Sequence, residues 1–137
     1  LPITLAPAPP PHTLTELSVT IENIRSRQGQ VCAALFKGPQ GFPNDTSKVV
    51  RRFCVTIADP ATFKLAIDSL PAGTYALALF HDENGDGKLN TGLFGIPKEG
   101  FGFSNNPTVR VGTPSYPEAS FEATGKESAI TVSLHNL

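Results

Sequence analysis

The chain has 137 residues, a formal net charge of −1, and no methionine or tryptophan. A chain of this length buries roughly two-thirds of the surface it exposes when unfolded, which suffices for one core. With no basic cluster larger than Arg51-Arg52, the electrostatic footprint of a nucleic-acid binder is excluded, and no apolar run approaches the ~20 residues of a membrane-spanning helix.

The chain begins at Leu1, as expected where a signal peptide has been removed; a trimmed chain gives the same start. Pro2, Pro7, Pro9, Pro10 and Pro11 then favour an extended polyproline tether over residues 1–13, ahead of a single domain over 14–137. From there the period of two dominates. Leu17, Val19 and Ile21 alternate with polar neighbours and predict a half-buried strand. The segment Gln30–Phe36 is apolar on both faces and predicts a central strand. Gly38, Pro39, Gly41, Pro43, Asn44 and Asp45 break regular structure, with Phe42 as the apolar pin of that loop. A short helical turn fits at 46–50.

Phe53, Val55 and Ile57 predict the next strand, and Phe63, Leu65 and Ile67 another after Asp59-Pro60. A turn at 70–74 reverses the chain into a strand through Tyr75, Leu77 and Leu79. A glycine-rich region over 82–107 interrupts the sheet. Residues 108–111, 119–123 and 129–134 supply the remaining strands, with Ile130, Val132 and Leu134 inward and a short helical turn at 117–119. Short strands separated by turn chemistry predict an all-β fold, an antiparallel two-sheet β-sandwich of seven to eight strands, immunoglobulin-like or prealbumin-like, with a barrel as the alternative.

Cys32 and Cys54 are the only cysteines. An even count fits an oxidising compartment, where a disulfide closing this loop would stabilise by about 3 kcal/mol; two buried thiols packing as small hydrophobes are the alternative.

The stretch Asp82-Glu83-Asn84-Gly85-Asp86-Gly87-Lys88-Leu89-Asn90 places an oxygen-bearing side chain at every second position. Calcium takes six to eight oxygens, and a curled loop supplies them from side chains one, three and five, with a glycine at six reversing the chain to present the carbonyl of residue seven. Asp82, Asn84, Asp86, the Lys88 backbone and Asn90 fit those places, with Leu89 anchoring the loop in the core. The twelfth position is Leu93, not the bidentate glutamate of an EF-hand, so a further carboxylate must come from Glu99 or Glu83. The competing account is a metal-free turn in which Asp, Asn and Gly cap backbone groups. His81 shares parity with Tyr75, Leu77 and Leu79, which predicts a partly buried histidine bonding to the loop; His12 and His135 make no zinc spacing with it.

No nucleophile elbow or phosphate-cradling loop is present, and neither cysteine has an evident base, so no catalytic residues are assigned and no enzyme is expected. Convergence of Asp82, Asp86 and Glu99 leaves glycan hydrolysis as the alternative. Phe94, Phe101 and Phe103, in a glycine-rich segment, fit an apolar partner surface or a sugar-stacking platform; folding back over the sandwich is the other account.

The blocks Leu70-Pro71-Ala72-Gly73-Thr74-Tyr75, Phe80-His81-Asp82-Glu83-Asn84-Gly85 and Gly95-Ile96-Pro97-Lys98-Glu99-Gly100-Phe101-Gly102-Phe103-Ser104-Asn105-Asn106 resemble the bacterial family DUF2141. Gly29-Gln30-Val31, Leu35-Phe36 and Gly41-Phe42-Pro43 are similar as well, so the resemblance covers roughly 14–137. It implies an exported, periplasmic or extracellular β protein and supplies no reaction. The Pro-x-Gly-Thr-Tyr turn is also similar to transthyretin-like and carboxypeptidase-regulatory sandwiches, which serve as binding or stability modules. Family members often carry an acidic residue where this chain has Asn90, implying weaker calcium binding. The expected function is therefore a non-catalytic accessory or interaction domain whose calcium loop orders residues 82–106 for a protein or envelope partner, with a carbohydrate-binding or carbohydrate-active module as the alternative.

Overall fold

A computed structural model describes residues 14–89, 99–108 and 113–136 of the chain. The tether over 1–13, the strand expected over 108–111 beyond Thr108, and the positions of Asn90 and Phe94 lie outside the described residues. Among the described residues, eight strands appear in the order β1 (Leu14–Glu22), β2 (Gln30–Phe36), β3 (Arg51–Thr56), β4 (Lys64–Pro71), β5 (Gly73–Asp82), β6 (Phe101–Phe103), β7 (Ser120–Ala123) and β8 (Glu127–Ser133). They form a three-stranded sheet, β4-β1-β8, and a five-stranded sheet, β3-β2-β5-β6, with β7 also pairing with β5. This is the expected all-β sandwich. The short helical turns occur at Thr46–Lys48 and, as α1, at Tyr116–Ala119, where Ser115 and Glu118 form a capping box.

One expectation needs correction. The first sheet is mixed, because β1 and β8 run parallel, with Val19 opposite Ile130. Chain reversals explain it. β4 is antiparallel to β1, β5 follows β4 through a tight reversal at Ala72, β7 is antiparallel to β5, and three residues later β8 turns back again. An even number of reversals returns β8 to the direction of β1.

The core lies between the sheets. Leu17, Val19 and Ile21 of β1, Leu65 and Ile67 of β4, and Val132 and Leu134 from the β8 end meet Val31, Ala33 and Leu35 of β2 and Tyr75, Leu77 and Leu79 of β5. Ile130 is half-buried against this cluster. A second apolar cluster covers the outward face of the five-stranded sheet, where Ala76, Phe101, Phe103 and Ala119 are buried beneath Phe42, Phe80 and Tyr116. Phe42 pins its loop as the sequence implies, meeting Phe36 edge-on at 5.3 Å and Phe103 at 6.1 Å. Two buried faces are the reason that β2 reads apolar throughout.

β5 organises the site. Its inward residues are Tyr75, Leu77, Leu79 and His81; its outward ones are Ala76, Ala78, Phe80 and Asp82. Its Gly73 end pairs with β7 and its Asp82 end with β6, both on the side away from β2.

Candidate metal-binding loop

Alternation along β5 makes Asp82, its last residue, face outward, and register sets Gln30 opposite it. Asp82 is nonetheless 0% exposed. Its Oδ2 accepts hydrogen bonds from Gln30 Nε2 (2.7 Å) and from the backbone N–H of Gly87 (2.7 Å). The second bond closes residues 82–87 into a ring, which Gly87 permits by adopting φ +76°. Oδ1 has no hydrogen-bond partner among the described residues. Burying a charged oxygen without a partner costs several kcal/mol unless a cation or donor compensates.

Further round the ring, Asn84 Oδ1 accepts from Asp86 N–H (3.2 Å) and Asp86 Oδ1 accepts from Lys88 N–H (2.9 Å). These are the side-chain to backbone bonds of an Asx-type turn. Both residues are exposed. Arg52 of β3 braces the loop from the side, Nη2 donating to Gly87 O at 3.4 Å. Among the described residues, no group of three or more His, Cys, Asp and Glu side chains is gathered as for a metal ion. The three expected carboxylates, Asp82, Asp86 and Glu99, are therefore not brought together as such a group; the Asn84 amide and the Lys88 carbonyl are donors of another kind, and Asn90 lies outside the described residues.

Of the two further carboxylates, Glu99 and Glu83, the structure separates the roles. Glu83 turns away from the loop to pair with Arg25, and also accepts from Ser26 Oγ (3.3 Å). The Arg25 hydrogen bond holds the Glu83 carboxyl below the ordinary carboxylate range. Glu99 is 5% exposed, and its Oε2 accepts from Glu83 N–H at 2.8 Å, so it stands at the base of the loop. Glu83 therefore drops out as a ligand candidate and Glu99 remains.

His81 is fully buried, more so than expected, and bonds to the β1–β2 turn rather than to the loop. Its Nε2 donates to Gln28 O at 2.7 Å, while Nδ1 has no hydrogen-bond partner among the described residues. The same turn contains Gly29 at φ +77°, where an added Cβ would lie 2.0 Å from Asp82 O. Sequence patterning identified neither Gln30 as the partner of Asp82, nor Arg25 as that of Glu83, nor Gly29 as the point of closest approach. Register between β2 and β5 sets the first, and the position of the β1–β2 turn beside the end of β5 sets the other two.

Two expectations fail. Leu89 is 38% exposed and does not anchor the loop in the core. Phe101 and Phe103 are each 8% exposed and so do not form the expected open partner surface. Their rings lie 6.0 Å apart within the outward cluster, and β6 pairs Phe101 with Phe80 and Phe103 with Ala78, which puts both under the cover of Phe42 and Tyr116. A sugar-stacking platform loses Phe101 and Phe103 for the same reason. The cysteines do pair: Cys32 and Cys54 are cross-strand partners in β2 and β3, bonded as a disulfide.

No helix among the described residues is long and apolar enough to cross a membrane. No curated protein and no solved structure matches the chain. A family model described as an uncharacterized protein conserved in bacteria matches residues 19–131. That match takes in both cysteines, all of β2 to β6, the Asp82 loop and Glu99, and the chain therefore belongs to the bacterial DUF2141 family.

Proposed function

We propose that this protein is an exported, non-catalytic accessory domain whose Asp82 loop binds calcium. The observation that carries this reading is the Asp82 carboxylate, wholly buried, tied to the loop glycine through Oδ2 and without a hydrogen-bond partner at Oδ1 among the described residues. A carboxylate buried in that manner favours a hard cation, which supplies the missing partner for Oδ1. Asn84, Asp86 and the Lys88 carbonyl are the additional oxygens on the ring, Glu99 is the carboxylate at its base, and Asn90 follows in sequence. Export is supported by a disulfide in a bacterial family, since such bonds persist in oxidising compartments. The accessory role is to hold the loop side of the sandwich in one shape for a protein partner in the cell envelope.

Calorimetric titration of chelator-treated protein tests the reading. Calcium should bind with a measurable heat and raise the melting temperature, since a ligand at 100 times its Kd adds about 2.7 kcal/mol of stability. Magnesium, which demands a stricter octahedral shell, should bind more weakly. The absence of both heat and melting shift at millimolar calcium would retire the proposal.

A further inference from the structure

We infer that the Cys32–Cys54 disulfide regulates the cation loop, through contact of Cys32 with Asp82; the inference rests on the calcium reading above. Both cysteines lie on the outward face of the five-stranded sheet, Cα atoms 4.0 Å apart, but their surroundings differ. Cys54 is exposed on β3, while Cys32 is 3% exposed on β2, between β3 and β5. Cys32 Sγ lies 3.9 Å from Asp82 Oδ2. A disulfide sulfur carries no proton, so this is a van der Waals contact that leaves the carboxylate's charge for the cation.

Reduction alters that contact in two ways. Sulfurs no longer bonded must move apart to van der Waals distance; Cys54 can swing into solvent, whereas Cys32 is hemmed in beside the carboxylate. The new Cys32 thiol also carries a donor hydrogen, and Asp82 is the acceptor beside it. A proton donor and a cation then compete for one carboxylate. The same disulfide ties down β3, whose Arg52 braces Gly87 O.

The reductant is a dithiol. One of its thiolates attacks the sulfur of Cys54, the exposed residue of the pair, the Cys32–Cys54 bond breaks, and its electron pair passes to the Cys32 sulfur, which takes up a proton. The second thiol of the reductant then attacks the mixed disulfide and releases Cys54 as a thiol. Two electrons and two protons pass to the protein, and the dithiol becomes a cyclic disulfide. Coupling is reciprocal, so calcium must in turn oppose reduction by the same factor.

Two variants separate this contact from simple loss of the cross-link. Cys54→Ala and Cys32→Ala both abolish the disulfide, but only Cys54→Ala leaves a thiol against Asp82. With calcium as the probe and melting curves confirming that both fold, Cys54→Ala should bind at least fivefold more weakly than Cys32→Ala. Equal dissociation constants would overturn the inference while leaving the calcium reading in place. Oxidised wild-type protein that binds no calcium would sink both. Should either variant fail to fold, the wild-type protein gives the answer: the dithiol concentration at half-reduction should rise at least fivefold in saturating calcium relative to chelator, and no rise overturns the proposal.

Discussion

The two ends of β5 are built from the same alternating strand and finish in opposite states of polar satisfaction. At the Gly73 end, Tyr75 is buried and its hydroxyl donates to Pro71 O across the tight reversal from β4, while β7 pairs alongside. At the Asp82 end, two consecutive residues are wholly buried and each has a polar atom without a hydrogen-bond partner among the described residues: His81 Nδ1 on the inward face and Asp82 Oδ1 on the outward one. Folded proteins pair nearly all such atoms. Among the described residues the Gly73 end is therefore complete and the Asp82 end has two polar atoms without a partner, and the calcium site proposed above lies at that second end.

Five substitutions sharpen that contrast, beginning with the largest effect. Gly29→Ala drives a Cβ to within 2.0 Å of Asp82 O at a backbone φ of +77°, and should cost about 3 kcal/mol or more. That corresponds to a fall of roughly 10 °C in melting temperature for a domain of this size. Gly87→Ala, with the same sign of φ and open space around it, should cost about 1 kcal/mol in chelator and additionally weaken calcium binding by disturbing the ring. A thermal melt of the pair decides whether close approach at Gly29 outweighs backbone strain alone.

Tyr75→Phe, at the satisfied end, should also cost about 1 kcal/mol through loss of the Pro71 bond, with the calcium heat unchanged. A calcium defect in this variant would mean that the two ends are not independent. Asp82→Asn makes the opposite separation. Its amide oxygen can keep the bonds from Gln30 and Gly87 while the buried charge disappears, so stability in chelator should stay within about 1 kcal/mol of wild type. The calcium-induced melting shift should vanish.

The smallest effect belongs to Glu83. Its hydrogen bond from Arg25 depresses its pKa below the ordinary 4.5, so its contribution is present above that value and lost as pH falls through the depressed one. Because Arg25 is 39% exposed, solvent screening limits the pair to about 0.5 kcal/mol. Glu83→Gln should remove that increment at pH 7 and leave stability nearly equal to wild type once the pH lies below the depressed value, as read from urea titrations over a descending pH series.

Alternation made most of the sandwich legible. Residues such as Leu17, Val19 and Ile21, or Tyr75, Leu77 and Leu79, face one side of a pleat, and the core forms where such faces meet. The parallel pairing of β1 with β8 was not legible, because direction depends on the sum of reversals along the chain rather than on any local pattern. Strand β6 escaped notice since Phe101-Gly102-Phe103 is short, has glycine at its centre and sits in a glycine-rich region. Its period-two phenylalanines were the available signal. Composition located the Asp82 loop, whereas the burial of Asp82 and the anchoring roles of Gln30 and Gly29 arise from strand register and could not be seen in spacing. Exposure of Leu89 shows the limit of transferring a loop pattern position by position: the oxygen-bearing part of the motif forms a ring, and its apolar position does not reach the core.

A crystal grown in saturating calcium tests the central claim most directly. The account predicts an anomalous peak about 2.3–2.6 Å from Asp82 Oδ1, with oxygens of Asn84 and Asp86 around the same ion. An undisturbed ring, with no peak beside Asp82 and with Asn84 and Asp86 still capping the N–H groups of Asp86 and Lys88, would contradict it.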